Sequence, residues 1–119
     1  MSKIYDVIIL GAGPAGLSAG LYAGRARLST LIIEKGQDGG QIAQTDEIEN
    51  YPGQMVEGES GRSLVARMSE QAAKFGAERC TDVIKSVDFS GEIKKITGSK
   101  GEYEAKTVII ATGAFPRPI

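Results

Sequence analysis

Three glycines at fixed spacing carry the clearest chemical meaning in the sequence. Gly11, Gly13 and Gly16 follow the apolar run Ile4–Leu10 and precede a segment of small and apolar residues. In a strand–turn–helix unit, the first glycine permits a tight turn, the second lets the backbone approach a pyrophosphate, and the third lets helix and strand pack closely. N–H groups at the helix N-terminus would bind the phosphates. The pattern therefore predicts a dinucleotide-binding turn.

An acidic residue follows the glycine turn at the distance typical of a ribose-binding acid. Glu34 ends the next apolar run and lies 18 residues beyond Gly16, close to the roughly 20 residues expected. Its carboxylate could accept hydrogen bonds from a ribose and would repel a 2′-phosphate. Pro14 falls in the first helical turn, where its missing N–H is tolerated. The alternative, a ligand-free glycine turn with a solvated Glu34, is disfavoured because context, spacing and acid all agree.

Composition excludes several other kinds of chemistry. The 119 residues contain no histidine and one cysteine, Cys80. A Ser-His-acid triad, a histidine-containing zinc site and a two-thiol active site are therefore excluded within the chain. With 14 basic and 15 acidic side chains, no positive excess is available for a nucleic-acid backbone. No apolar run reaches the roughly 18 residues of a membrane span, and no secretory signal is evident. We expect a cytoplasmic protein with neither a nucleic-acid nor a membrane partner.

The elements around these residues predict an α/β domain. Apolar, β-branched runs at 4–10, 30–34 and 107–111 are typical of parallel strands buried on both faces. Helical spacing indicates helices over 17–26 and from Ser60 to Gly76. Short alternating segments predict a small antiparallel meander, with strands at 77–81, 83–89, 93–97 and 102–105. The predicted fold is a Rossmann-like three-layer domain with a parallel sheet plus this meander, and the long stretch 36–57 is expected to be a functional loop.

Three motifs in order resemble the low-molecular-weight thioredoxin reductase family of flavoproteins, a class II pyridine nucleotide-disulfide oxidoreductase group. Residues 8–16 are similar to its FAD-binding opening, residues 39–42 and 47–53 to its flavin-side loop, and residues 108–114 to its second fingerprint. The resemblance covers essentially the whole chain. It implies a ββα-type FAD-binding domain that is discontinuous in sequence, with residues 1–119 as its N-terminal part. The nicotinamide domain and the returning segment of the FAD-binding domain would be absent from this chain.

The resemblance also implies cofactor contacts residue by residue. The glycine turn would hold the FAD pyrophosphate and Glu34 the adenosine ribose, while Gln41 would turn toward the flavin and Asn50 would lie against the isoalloxazine. Val83 would present its backbone to the adenine. No catalytic residue and no metal ligand is predicted. The predicted cofactor-binding residues are Gly11, Ala12, Gly13, Pro14, Ala15, Gly16, Glu34, Lys35, Gly36, Gly39, Gly40, Gln41, Asn50, Val83, Ala111, Thr112 and Gly113.

For the whole protein, the resemblance implies a thioredoxin-disulfide reductase that forms a homodimer. Electrons would pass from NADPH or ferredoxin through FAD to a Cys-x-x-Cys pair outside this chain, and on to thioredoxin. The 119 residues alone would be inactive because one thiol cannot form a dithiol/disulfide couple.

Three alternatives stay open. One is a thioredoxin-reductase-like ferredoxin/flavodoxin–NADP reductase without the dithiol. Another is the flavoprotein subunit of a peroxide-reducing pair, which is weakened because Met1 leaves no room for its extra N-terminal domain. The third, for the chain alone, is a non-catalytic dinucleotide-binding module.

Overall fold

The computed structural model describes residues 3–35 and 61–112, with side chains 61–63 excepted. Within these ranges the chain forms six strands and two helices. Their bounds are β1 (Ile4–Leu10), α1 (Pro14–Arg25), β2 (Thr30–Glu34), α2 (Gly61–Lys74), β3 (Glu78–Thr81), β4 (Ile84–Asp88), β5 (Lys94–Gly98) and β6 (Glu102–Ile110). Neither helix is long and apolar enough to cross a membrane.

All six strands belong to one mixed sheet in the order β3-β2-β1-β6-β5-β4. β3, β2, β1 and β6 run parallel to one another, and β5 and β4 continue the sheet antiparallel. β1 pairs with β2 from Val7↔Thr30 to Leu10↔Ile33, and with β6 from Ile4↔Glu104 to Leu10↔Ile110. The carboxyl ends of β1, β2 and β6 therefore meet at one edge of the sheet, where ligands bind in open α/β sheets.

Side chains on β1 alternate between two packed layers. Val7 and Ile9 belong to the core cluster on the helical face, together with Leu17, Val65 and Ala72. Ile8 and Leu10 belong to the opposite cluster, which includes Ile96 of β5 and Ala105 of β6. Ile8 and Ile9 are both fully buried. The second half of β1 is thus buried on both faces, against the helices on one side and against a cluster that includes residues of β5 and β6 on the other.

One strand predicted for the meander lies elsewhere. The alternating pattern of 77–81 predicts an antiparallel strand of the meander, but β3 pairs in parallel with β2, from Leu31↔Glu78 to Glu34↔Thr81. A parallel neighbour requires a crossover connection, and α2 lies within the connection from β2 to β3. The meander therefore consists of β4, β5 and the first part of β6.

Two predicted segments, 102–105 and 107–111, form a single strand. β6 runs without interruption from Glu102 to Ile110. Only Lys106 separates the two segments, and it supplies none of the turn chemistry of glycine, proline or asparagine. α1 likewise begins at Pro14, three residues earlier than predicted, because proline is well accommodated at the first helical position.

The carboxyl half of β6 is less buried than its apolar sequence predicts. Ile109 is 41% exposed and Ile110 is 64% exposed. β5 pairs with β6 only as far as Ala105. Within residues 3–35 and 61–112, β1 is thus the one strand that pairs with the second half of β6. The prediction of a strand buried on both faces is wrong for this end of β6. The reason is that β5 stops pairing with β6 at Ala105, five residues before β6 ends.

Candidate functional site

The glycine turn packs directly against the carboxyl end of β6. Gly11 has a φ of +113°, which favours glycine, and its N–H donates to the Ile33 carbonyl at 2.8 Å. A Cβ on Gly11 would lie 2.1 Å from the Ala111 carbonyl oxygen, and one on Gly16 would lie 1.9 Å from the Gly11 carbonyl oxygen. Real Cβ contacts are never this short. Both positions therefore require glycine for packing, whatever they bind.

The helix α1 begins directly after this turn. Gly13 is the N-cap residue, and its carbonyl accepts the Leu17 N–H at 2.9 Å. Pro14 follows at the first helical position, and Ala15 is exposed. Gly13 has no side chain to accept the first N–H groups of the helix. A helix N-terminus of this kind attracts an anion, because its N–H groups and its dipole both favour negative charge.

Glu34 joins the end of β2 to the glycine turn. One oxygen of its carboxylate, Oε1, accepts the Ala12 N–H at 3.1 Å. The other, Oε2, accepts the Lys35 N–H at 2.6 Å. The Ala12 bond is a task for Glu34 that the sequence does not predict, beside the predicted ribose contact.

A groove of about 350 Å³ opens at this edge of the sheet. That volume lies within the usual range of ligand pockets, about 300–1,000 Å³. The groove brings together five predicted site residues from four segments of the chain. Its lining consists of Leu10, Gly11, Ile33, Glu34, Lys35, Asp82, Val83, Ile84 and Thr112.

The remaining predicted residues fall into three groups. Ala12, Gly13, Pro14, Ala15 and Gly16 form the turn and the start of α1 beside the groove. Ala111 lies behind the turn: its N–H donates to the Leu10 carbonyl at 2.8 Å, and its own carbonyl faces Gly11. The others lie outside the described residues, and the structure does not test them: Gly36, Gly39, Gly40, Gln41, Asn50 and Gly113.

Val83 lines the groove, but its backbone already has partners within the chain. The Val83 N–H donates to Asp82 Oδ1 at 2.7 Å, and the Val83 carbonyl accepts the Ser99 N–H at 2.9 Å. The residue is 51% exposed. A carbonyl has two lone pairs, so the predicted adenine contact would use the second lone pair of this carbonyl and the exposed surface of the residue.

Asp82 is a groove residue that the sequence reasoning missed. It is only 3% exposed. Its Oδ2 accepts the Tyr103 hydroxyl at 2.6 Å, and its two oxygens accept the Lys100 N–H at 3.1 and 3.2 Å. The Tyr103 hydrogen bond, followed by those from backbone N–H groups, holds the pKa of Asp82 below its ordinary value. No sequence signal distinguishes Asp82 from an exposed aspartate such as Asp88, since its partners Lys100 and Tyr103 lie about 20 residues further along the chain.

The Asp82 hydrogen bond also changes the tyrosine. It is the first cause that raises the pKa of Tyr103, followed by burial and by a contact with Cys80. The Cys80 Sγ lies 3.8 Å from the Tyr103 hydroxyl, and Cys80 is partly buried. Tyr103 therefore stays a neutral donor toward Asp82.

A sequence model of the family described as pyridine nucleotide-disulphide oxidoreductase matches residues 5–119. The chain belongs to this family. The predicted family resemblance and the Rossmann-like fold class are thereby confirmed.

Individual members are similar over almost the whole chain. A thioredoxin reductase from Peptoclostridium litorale is 53% identical over 117 residues, which is 98% of this chain and 37% of the relative. The crystal structure of thioredoxin reductase from Streptococcus pyogenes MGAS5005 superposes with a TM-score of 0.91 at 44% identity, and covers 100% of this chain and 38% of that one. A ferredoxin-flavin thioredoxin reductase from Clostridium acetobutylicum gives 0.83 at 28% identity, with 100% and 41% covered. The chain thus spans well under half the length of the relatives it matches.

Proposed function

We propose that this chain is the FAD-binding part of a thioredoxin-disulfide reductase. The observation that carries the proposal is the convergence of Gly11, Glu34 and Val83 on one groove at the carboxyl edge of the sheet. A dinucleotide needs the glycine turn for its pyrophosphate and the acid for its ribose, and the family resemblance implies Val83 for the adenine. Membership of the pyridine nucleotide-disulphide oxidoreductase family supports the same function.

The described residues fit the adenosine diphosphate half of FAD. The N-terminus of α1 would offer N–H donors to the two phosphates, and its N-cap residue Gly13 has no side chain to hinder a close approach. Glu34 offers carboxylate oxygens to ribose hydroxyls, and Val83 offers an apolar surface to the adenine. FAD would supply the redox chemistry, while these residues would bind and orient it. Contacts to the flavin, by Gln41 and Asn50 in particular, stay predictions.

Electron transfer would involve groups beyond these 119 residues. Cys80 is the one cysteine of the chain, and a dithiol/disulfide couple needs two. We propose that the couple is a Cys-x-x-Cys pair elsewhere in the protein, reduced through FAD and oxidised by thioredoxin. The electron donor would be NADPH or, as the name of the Clostridium acetobutylicum neighbour suggests, a ferredoxin. A homodimer in the cytoplasm stays the expected setting.

For the chain alone, we propose dinucleotide binding without turnover. No predicted acid, base or nucleophile is among its residues, and the lone thiol of Cys80 is partly buried. A thioredoxin-reductase-like ferredoxin/flavodoxin–NADP reductase shares the proposed FAD site and differs in lacking the dithiol. The presence of a Cys-x-x-Cys pair in the whole protein decides between the two enzymes.

The test is a visible absorption spectrum of the purified chain, recorded after FAD has been added and removed again by desalting. Equilibrium titration with FAD and with ADP accompanies it. We expect a bound flavin band, or saturable binding of both ligands with ADP competing for the FAD site. A chain that is folded by circular dichroism and binds neither ligand would contradict the proposal. Turnover of NADPH with a chromogenic disulfide by the chain alone would contradict the binding-only role.

A further inference from the structure

We infer that Asp82 is a positioning residue for the adenosine half of the dinucleotide; this inference rests on the proposed function. Asp82 is nearly fully buried and lines the groove next to Val83. Its carboxylate is therefore poorly placed to contact a ligand directly. Its effect on the groove instead comes from the three chain segments that it holds together.

The first segment is the carboxyl edge of the sheet. The Asp82 N–H donates to the Glu34 carbonyl at 3.0 Å, which extends the pairing of β3 with β2 by one residue. The backbone of Asp82 is thereby fixed to the residue proposed to bind the ribose. Val83, which is proposed to contact the adenine, therefore follows directly after a residue that is hydrogen-bonded to Glu34, the proposed ribose acceptor.

The second and third segments are the β5–β6 turn and the start of β6. Asp82 accepts hydrogen bonds from the Lys100 N–H in the turn and from the Tyr103 hydroxyl on β6. The end of β5, just before this turn, packs so closely that a Cβ on Gly98 would lie 2.2 Å from Asp82 Oδ2. The carboxylate therefore sets the distance between the turn and the groove.

Both polar backbone groups of Val83 depend on this arrangement. Its N–H donates to the Asp82 carboxylate, and its carbonyl accepts from Ser99, which belongs to the turn that Asp82 holds. Removal of the carboxylate charge leaves several N–H and O–H donors facing an acceptor-poor group, and buried donors without acceptors are costly. Val83 would then move away from the position that shapes the adenine end of the groove.

The experiment compares two probes in four forms of the full chain by calorimetric titration. ADP occupies the whole adenosine half, whereas inorganic pyrophosphate contacts the glycine turn alone. The test variant is Asp82→Asn, and Tyr103→Phe is milder, since it keeps the carboxylate and the two backbone donors. Asp88→Asn is the matched control: Asp88 also accepts hydrogen bonds, from Ser90, but lies outside the groove lining. Circular dichroism gives the folded fraction.

We expect Asp82→Asn to raise the dissociation constant for ADP about tenfold and to leave that for pyrophosphate unchanged. Tyr103→Phe should raise the ADP value about threefold, and it decides the matter if Asp82→Asn fails to fold. Unchanged ADP binding in both variants would overturn the inference and leave the proposed function standing. Equal weakening of both probes would show a merely structural role and overturn it too. A wild-type chain that binds neither probe would overturn both the proposed function and the inference.

Discussion

Glu34 Oε1 accepts a hydrogen bond from the backbone N–H of Ala12 at 3.1 Å. The acid at the end of β2 is thus bound to the turn at the end of β1. A residue expected to recognise a ribose also holds the loop expected to receive the phosphates. If the proposed function holds, one hydrogen bond links the recognition of the two parts of a dinucleotide before any ligand binds.

This connection predicts different effects for two substitutions of Glu34. Glu34→Ala removes the proposed ribose acceptor and the bond to Ala12, so ADP affinity should fall by about tenfold or more. Glu34→Gln keeps one acceptor oxygen for Ala12 and should lose less. Titration with ADP measures both, and the unfolding midpoint should shift little because Glu34 is only partly buried. Equal ADP affinity in all three proteins would contradict the role of Glu34.

Gly11 and Gly16 should be needed for folding itself. Gly11→Ala and Gly16→Ala each place a Cβ within about 2 Å of a backbone oxygen, so each should lower the free energy of unfolding by about 3 kcal/mol or more. Gly101→Ala is the control, since nothing lies within 4 Å of its Cβ position. Urea unfolding followed by circular dichroism makes the comparison. A Gly11→Ala protein as stable as Gly101→Ala would refute the packing argument.

Gly13 should affect binding without affecting the fold. Its φ of −76° and ψ of −176° are ordinary for any residue, so Gly13→Val does not strain the backbone. A valine side chain at the N-cap would nevertheless block the approach of a pyrophosphate to the first turn of α1. We expect a folded protein that no longer binds pyrophosphate or ADP. Full binding of pyrophosphate by this variant would argue against a phosphate site at the glycine turn.

Asp82 should contribute to stability in a pH-dependent way. Its pKa is held below the ordinary value of 3.8, first by the Tyr103 hydroxyl and then by backbone N–H groups. The ionised carboxylate therefore stabilises the fold at pH values above 3.8, and this contribution is lost as the pH falls through the lower folded-state pKa. We expect the free energy of unfolding to fall less steeply with acid in Asp82→Asn than in wild type. Urea titrations at a series of acid pH values measure the slope.

Other carboxylates supply the slope that remains in that variant. Hydrogen bonds are the first cause of a lowered pKa at three of them: Asp6 by Ser29, Glu78 by Tyr5 and Asp88 by Ser90. Asp88→Asn is again the control, because this substitution removes an exposed carboxylate whose pKa is also lowered. Identical acid slopes in wild type and Asp82→Asn would contradict the prediction for Asp82.

The sequence predicts local features of this fold well. The bounds of β1 and β2 follow from apolar runs that stop at a glycine turn and at an acid, and the structure has the same bounds. The packing demand at Gly16 also follows, because a Cβ there would meet the Gly11 carbonyl within the same strand–turn–helix unit. Such features depend on neighbours that are close in sequence.

Features that depend on distant neighbours could not be predicted. The parallel pairing of β3 with β2 depends on the crossover through α2, which lies between the two strands in sequence. Nothing in the composition of β3 indicates this pairing. The role of Asp82 depends on Lys100 and Tyr103, which approach it only because β5 turns back onto β6. The exposure of Ile110 depends on what pairs beside β6 rather than on the strand's own residues.

The pairing of β1 with β6 has a consequence for how the chain folds. Ile4 lies beside Glu104, and the Thr107 hydroxyl donates to the Asp6 carbonyl across 101 residues of sequence. Contacts this distant in sequence slow folding, because the entropy of closing the loop is lost before the contact forms. During synthesis, β1, α1 and β2 emerge first, and β1 must keep one edge open until β6 is made. We therefore expect the closing of the sheet by β6 to be late and slow, and the β1–α1–β2 unit to form before it.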